Sequence, residues 1–279
     1  MIQLPEVEII RRELERDVAG KKVKSVEVST TKTVKRGGTK AKFAGMLEGL
    51  KIQGTRRVGR YILFDFEDDV VMAAHLGSGG QLLRVPNKAA VDPKTAVVIT
   101  FTQHGQLRLV DHEGDAMLVA VPDAETLETV VPELYELGVD PLANPMSWTD
   151  FGRLVLAHHT KLKSLLTDES VIVGLGDVYS DEVLFNAGLR YDRFSDSLNT
   201  QELRRFYRAV VETLHDAVKY HGTTIDGGHY ADPEGNGGNY QDHLQVWGRD
   251  GELSPRSRQP IVRKKYSGRW TYFCDQSQV

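Results

Sequence analysis

An α+β fold, with an N-terminal β-sandwich and flanking helices followed by a helical domain and a C-terminal β-hairpin, is predicted by three changes of texture along the 279 residues. Short β-branched runs dominate residues 22–121. Helical periodicity takes over after Pro132, and the last segment returns to two strand-like runs around Ser267 and Gly268. The expected units are residues 1–132, 133–225 and 226–279.

The elements follow in order. Residues 5–20 place Val7, Ile10, Leu14 and Val18 at spacings of three and four, with Gly20 as a stop, which predicts an amphipathic helix. KVKSVEV, YILFDF, VVMAAHL, TAVVITF and AMLVAV then read as strands separated by Gly, Asp and Asn turns. AKFAGMLEGL interrupts them with a short helix that carries Phe43, Met46, Leu47 and Leu50 on one side. Four helical stretches follow: MSWTDFGRLVLAHH, KLKSLLTD, GDVYSDEVLFNAG and TQELRRFYRAVVETLHDAVKYHG. DGGHYADPEGNGGN reads as a mobile loop, and LQVWGRDG as a strand.

Composition narrows the function classes. At 40% hydrophobic residues the chain has material for a real core, and no apolar run approaches the ~20 residues that cross a bilayer. Without a signal-peptide pattern the expectation is a cytoplasmic protein with no membrane partner. The single cysteine, Cys274, excludes an internal disulfide framework. A net charge of −4 does not favour a polyanion over the whole molecule. Residues 249–269, however, concentrate seven Arg and Lys against Asp250 and Glu252, a local basic patch.

VIVGLGDVYSDEVLF carries the most specific local signal. A Gly-x-Gly turn directly before a helix presents free backbone N–H groups at the positive end of the helix dipole, a geometry suited to phosphate, although such turns are usually plain connectors. With Lys161 and Lys163 on the preceding short helix, the arrangement is a helix-two-turn-helix. In this the sequence resembles the formamidopyrimidine-DNA glycosylase and endonuclease VIII family. The resemblance extends through LPEVE, RRVGRYILFDF, AHLG, LGVDPL, VGLGDVYSDEVLFNAGL, HGTT, LQVWGRDGE and GRWTYFC, in the family's order and over nearly the whole chain. It implies damaged double-stranded DNA as partner, no cofactor, and a monomer that clamps the duplex.

The departures from that pattern bear on chemistry. The family's terminal proline, whose secondary amine attacks C1′, and the adjacent ring-opening glutamate fall at Ile2 and Gln3. Met1 is not expected to be trimmed before a bulky Ile, so a primary amine would stand one residue out of place, and positioning supplies most of such a rate. Gln3 cannot transfer a proton as Glu does. The resemblance therefore implies loss of the lyase chemistry. Glu6, the family's second glutamate, is retained, either as general base for a water or as a cap of the first helix.

The remaining positions bear on DNA contact. The family's lysine near the lesion phosphates falls at Arg60, which keeps the charge but offers no amine nucleophile. The side chains that fill the gap left by a flipped nucleotide fall at Ser78, Gly114 and Asp115, so all three fillers are missing, and His112 in the same loop is expected to be solvated. The phosphate-binding Asn becomes Asp177, repulsive to phosphate unless a cation intervenes and expected to N-cap the next helix. Lys163 and Arg269 coincide with positions that the family uses for the DNA backbone. The four zinc-ligand positions read Ser254, Ser257, Cys274 and Ser277, which implies a zincless finger held by strand pairing and by packing of Trp270, Tyr272 and Phe273. Three classes stand open on residues alone: a glycosylase using water near Glu6, a non-catalytic damaged-DNA binder, and a fold turned to a partner other than DNA.

Overall fold

The chain alternates between two units along its length. In the computed structural model, which describes residues 2–279, the chain up to Glu136 and the segment His221–Asn239 form one unit, and Leu137–Tyr220 with Tyr240–Val279 form the second. The sequence divisions at 132 and 225 differ from this partition, because the expected 226–279 piece is split at 239. Among the described residues no helix is long and apolar enough to cross a membrane.

The first unit starts with α1 (Leu4–Val18), whose Val7, Ile10, Leu14 and Val18 are buried as the periodicity requires. It continues through β1 (Val23–Val28), α2 (Thr31–Val34), α3 (Lys40–Leu47), β2 (Ile52–Val58), β3 (Tyr61–Phe66), β4 (Val71–His75), β5 (Gly80–Val85), β6 (Thr95–Phe101), β7 (Gln106–Asp111), β8 (Met117–Val121) and α4 (Ala124–Val130). Two antiparallel four-stranded sheets result, in the orders β1-β6-β7-β5 and β2-β3-β4-β8. Ile62, Phe64 and Ala74 of one share a core with Val97, Ile99 and Leu109 of the other and with the apolar side of α1. Each such side chain withdrawn from water contributes roughly 1.5–3 kcal/mol, so this layer holds the sandwich together. The expected helix around Phe43 and Leu47 is α3, with both side chains buried.

The returning segment 221–239 is neither free nor regular. Asp232 accepts backbone N–H groups from Glu234 (2.9 Å) and Asn236 (2.8 Å), and Thr224 Oγ1 accepts from Gly238 (2.8 Å). Arg84 N–H on β5 donates to Pro233 O (2.7 Å). The glycine-rich composition that suggests a mobile loop instead allows close backbone approach: a Cβ on Gly222 (φ +78°) would lie 3.0 Å from Glu6 Cγ and 2.9 Å from Tyr230.

The second unit is built on α5 (Trp148–Leu156), α6 (Leu162–Thr167), α7 (Gly176–Ala187) and α8 (Thr200–Lys219), followed by the hairpin β9 (Val262–Tyr266) and β10 (Arg269–Phe273). α7 packs against α6 and α8, and α8 against α5. Ser267 and Gly268, both at positive φ (48° and 81°), form the two-residue turn whose twist suits a hairpin. The LQVWGRDG stretch is not a strand. The N–H groups of Gln245, Val246 and Trp247 all donate to the buried Glu182 carboxylate on α7 (2.8–2.9 Å), which leaves no ladder for a neighbouring strand. Trp270, expected to pack inside the hairpin, is exposed, while Tyr272 and Phe273 are buried.

Candidate nucleic-acid interface

The N-terminal residues sit inside the first unit. Ile2 is 4% exposed and belongs to the sandwich core, as an isoleucine at that depth would. Met1, the residue bearing the expected primary amine, lies outside the described residues. Gln3 is the N-cap of α1, and its N–H donates to Glu6 Oε2 (3.0 Å). Glu6 is 2% exposed, and its second oxygen accepts the Thr223 N–H (2.9 Å). The carboxylate therefore caps α1 and pins the HGTT segment to it.

Arg60 stands in the β2–β3 turn, beside His75 at the end of β4. Burial, reinforced by the Arg60 charge, pushes the His75 imidazole down to about 4. His75 Nδ1 accepts the Gly77 N–H (3.2 Å), so the neutral ring keeps its proton on Nε2. The unit thus pairs a permanent cation with a neutral donor. Sequence reasoning misses His75 because a histidine in an apolar strand is ordinarily a satisfied core residue.

The loops that carry Ser78, Gly114 and Asp115 are tied together. Both Asp115 carboxylate oxygens accept from the Ser78 N–H (3.1 and 3.0 Å), and Ser78 Oγ–H donates to Oδ2 (2.6 Å). Asp111 accepts from Gly114 N–H (2.9 Å) and Ala116 N–H (3.2 Å). His112 is not simply solvated: its ring stacks on His229 at 4.3 Å, and His229 Nε2 lies 3.1 Å from Glu113 Oε1. Short polar groups thus fix both loops.

In the second unit the structure corrects two expectations. Lys163 is 3% exposed, its ammonium donating to Asp181 Oδ1 (2.7 Å) and to the Asp177 carbonyl (2.9 Å), so it is a buried strut rather than a surface cation. Asp177 lies in the first turn of α7 and is not its N-cap; that position is Leu175, and no side chain caps the helix. A carboxylate there is favoured by the helix dipole, and the Arg269 guanidinium stands 3.6 Å from Asp177 Oδ1. The cation that an Asp at this position requires is thereby supplied by the hairpin.

Asp181 and Glu182, missed in the sequence because α7 reads simply as an amphipathic helix, organise this region. Asp181 also accepts from Thr271 Oγ–H (2.6 Å) and Tyr272 N–H (2.8 Å) on β10. Burial raises both carboxyls above the ordinary carboxylate value, opposed at Asp181 by the Lys163 charge and at Glu182 by the three backbone donors. The four finger positions bond to one another: Ser254 Oγ to Ser277 Oγ (3.0 Å), Ser277 Oγ to Ser257 Oγ (2.9 Å) and Ser257 Oγ to Cys274 Sγ (3.3 Å). Three neutral hydroxyls engaged with each other and one thiol do not fit zinc, which takes four good N or S donors. Among the described residues no other cluster of His, Cys, Asp or Glu suits a metal.

Comparison with known proteins agrees with this architecture. The family profile for the formamidopyrimidine-DNA glycosylase N-terminal domain matches residues 1–114, and that for the H2TH domain of the same glycosylase matches residues 137–227. A formamidopyrimidine-DNA glycosylase of Pelotomaculum thermopropionicum is 32% identical over 100% of this chain and 99% of its own length. The MutM (Fpg) protein of Thermus thermophilus superposes with a TM-score of 0.87 at 31% identity, covering 99% of this chain and 98% of that one. The Lactococcus lactis Fpg solved with abasic-site DNA gives a TM-score of 0.89 at 27% identity, covering 99% of both chains.

Proposed function

From the formamidopyrimidine-DNA glycosylase family, to which this chain belongs, we propose a DNA-repair protein that recognises damaged double-stranded DNA and releases a labile base by hydrolysis, without the proline-dependent lyase step. The observation that carries the reading is the N-terminal constellation: Ile2 buried as a core residue, Gln3 engaged through its backbone, and Glu6 the retained carboxylate. Behind Met1 the Ile2 nitrogen is an amide and offers no nucleophile, and the Gln3 side chain transfers no proton, so Glu6 is the carboxylate of this constellation to which the general-base role for a water falls. The occupancy of both Glu6 oxygens favours a second reading, a damaged-DNA binder without chemistry.

The test uses duplexes carrying alkylated or oxidised bases. Borohydride is expected to trap no protein–DNA adduct, and wild type is expected to release base in a step that Glu6→Gln removes while duplex affinity changes less than about twofold. An adduct overturns the non-covalent route; binding without release across the panel selects the binder. Because Gln accepts only one of the two N–H groups well, the variant's melting temperature is measured alongside.

Arg60 and Arg269 are the cations assigned to the DNA backbone, while Lys163 acts through the fold. Asp177→Asn is expected to release Arg269 and steepen the dependence of log affinity on log salt by about 0.9, one phosphate contact. Titrations at several salt concentrations check this, and an unchanged slope removes Arg269 from the backbone contacts.

A further inference from the structure

The hairpin carries one feature that the glycosylase fold does not use for its own packing. Trp270 is 41% exposed on β10, although Thr271, Tyr272, Phe273 and Cys274 beyond it are buried. The Arg263 guanidinium lies 4.7 Å from the indole centroid and the Lys265 ammonium 5.4 Å from it. Lys265 is the direct cross-strand partner of Trp270. Lys264 and Arg269 are exposed on the same hairpin, and between Val262 and Phe273 the sequence holds no carboxylate. Asp250 pairs with Arg263 at 3.2 Å and Asp177 with Arg269 at 3.6 Å.

We propose that Trp270, flanked by Arg263 and Lys265, is a stacking platform for an unpaired base of DNA. An indole left in water beside two cations combines the two things a nucleotide offers, a flat π-face and a phosphate. The charge selects the occupant: the hairpin opposes a second copy of itself and suits a polyanion. A fully paired duplex presents its bases edge-on and stacked, so the platform distinguishes DNA with an exposed base from an intact helix. The inference rests on the DNA-binding reading and adds a preference for single-stranded or gapped sites near the clamped backbone.

The experiment titrates the full chain against three DNAs: a fully paired blunt duplex, the same duplex with a short gap opposite natural nucleotides, and the same gap opposite base-free spacer phosphates. Wild type is expected to bind the natural gap about 5- to 150-fold more tightly than the base-free gap, the range of one stacked base. Trp270→Ala should abolish that ratio while leaving blunt-duplex affinity and the salt slope unchanged, because it removes no charge; Trp270→Phe should keep most of the ratio. A ratio near one in wild type, or one that survives Trp270→Ala, overturns the platform while the duplex-binding reading stands. Absence of binding to all three DNAs overturns that reading and the platform with it.

Discussion

Asp181→Ala is expected to destabilise the protein by about 3–5 kcal/mol, the cost of leaving a buried charge without its partner. Lys163 and Asp181 are both almost completely withdrawn from solvent, and the same carboxylate holds Thr271 and Tyr272 of the hairpin. Removing it strands an ammonium and frees two donors. The double variant Lys163→Met with Asp181→Ala is expected to recover a large part of the loss, since neither ion is then buried without its partner. Urea unfolding of the single and double variants measures the difference, and a double variant no better than the single would assign the loss to the hairpin bonds instead. Lys163→Met alone should disturb stability more than intrinsic DNA contact, because the ammonium does not reach the surface.

Stability is expected to fall by about 2–3 kcal/mol between about pH 7 and pH 4.5 through His75 alone. The ring is held at about 4 in the folded chain, against 6.5 for the exposed group. A base whose folded pKa is depressed takes up its proton first in the unfolded state, so its contribution is complete above 6.5 and is lost as pH falls from there towards 4. Glu8 titrates in an adjacent window. Burial raises it, but the bonds from Arg11, Arg57 and Arg12 outweigh that and hold it at about 2, so its contribution is complete above 4.5 and is lost below. His75→Asn, whose carbonyl oxygen can replace Nδ1 as acceptor for Gly77, should flatten the slope between pH 6.5 and 5 without abolishing the fold. Denaturant midpoints over that range decide it, and an unchanged slope would place the proton uptake elsewhere.

Much of the fold is legible because hydrophobic spacing survives translation into structure. α1, α3, β3, β4, β6, β8 and the four later helices fall where their periodicity places them. β2, β5 and β7 do not read as strands because Arg, Gln and Gly break the apolar run in IQGTRRV, GQLLRV and QLRLVD, and the sheet neighbours that make them strands lie elsewhere in sequence. The same blindness to distant partners explains Lys163. Its basic character is visible locally, but the carboxylate that buries it is 18 residues away. LQVW fails as a strand for the mirror reason: its alternation is real, but Glu182 claims the backbone donors. At the site, the residue identities at positions 2, 3, 60, 177 and 269 are readable, whereas the Asp177–Arg269 pairing and the Ser78–Asp115 tie exist only in three dimensions.

The splitting of the first unit across positions 136 and 221 has a consequence for how the protein is made. A ribosome adding roughly 5–20 residues per second delivers the sandwich strands well before the segment that completes them. For roughly 5–20 s, while the intervening helices are synthesised, Glu6 holds α1 without the Thr223 donor, and the β5 edge is still uncovered by Pro233. The nascent sandwich is therefore the stage at which this chain is most open to edge-to-edge association.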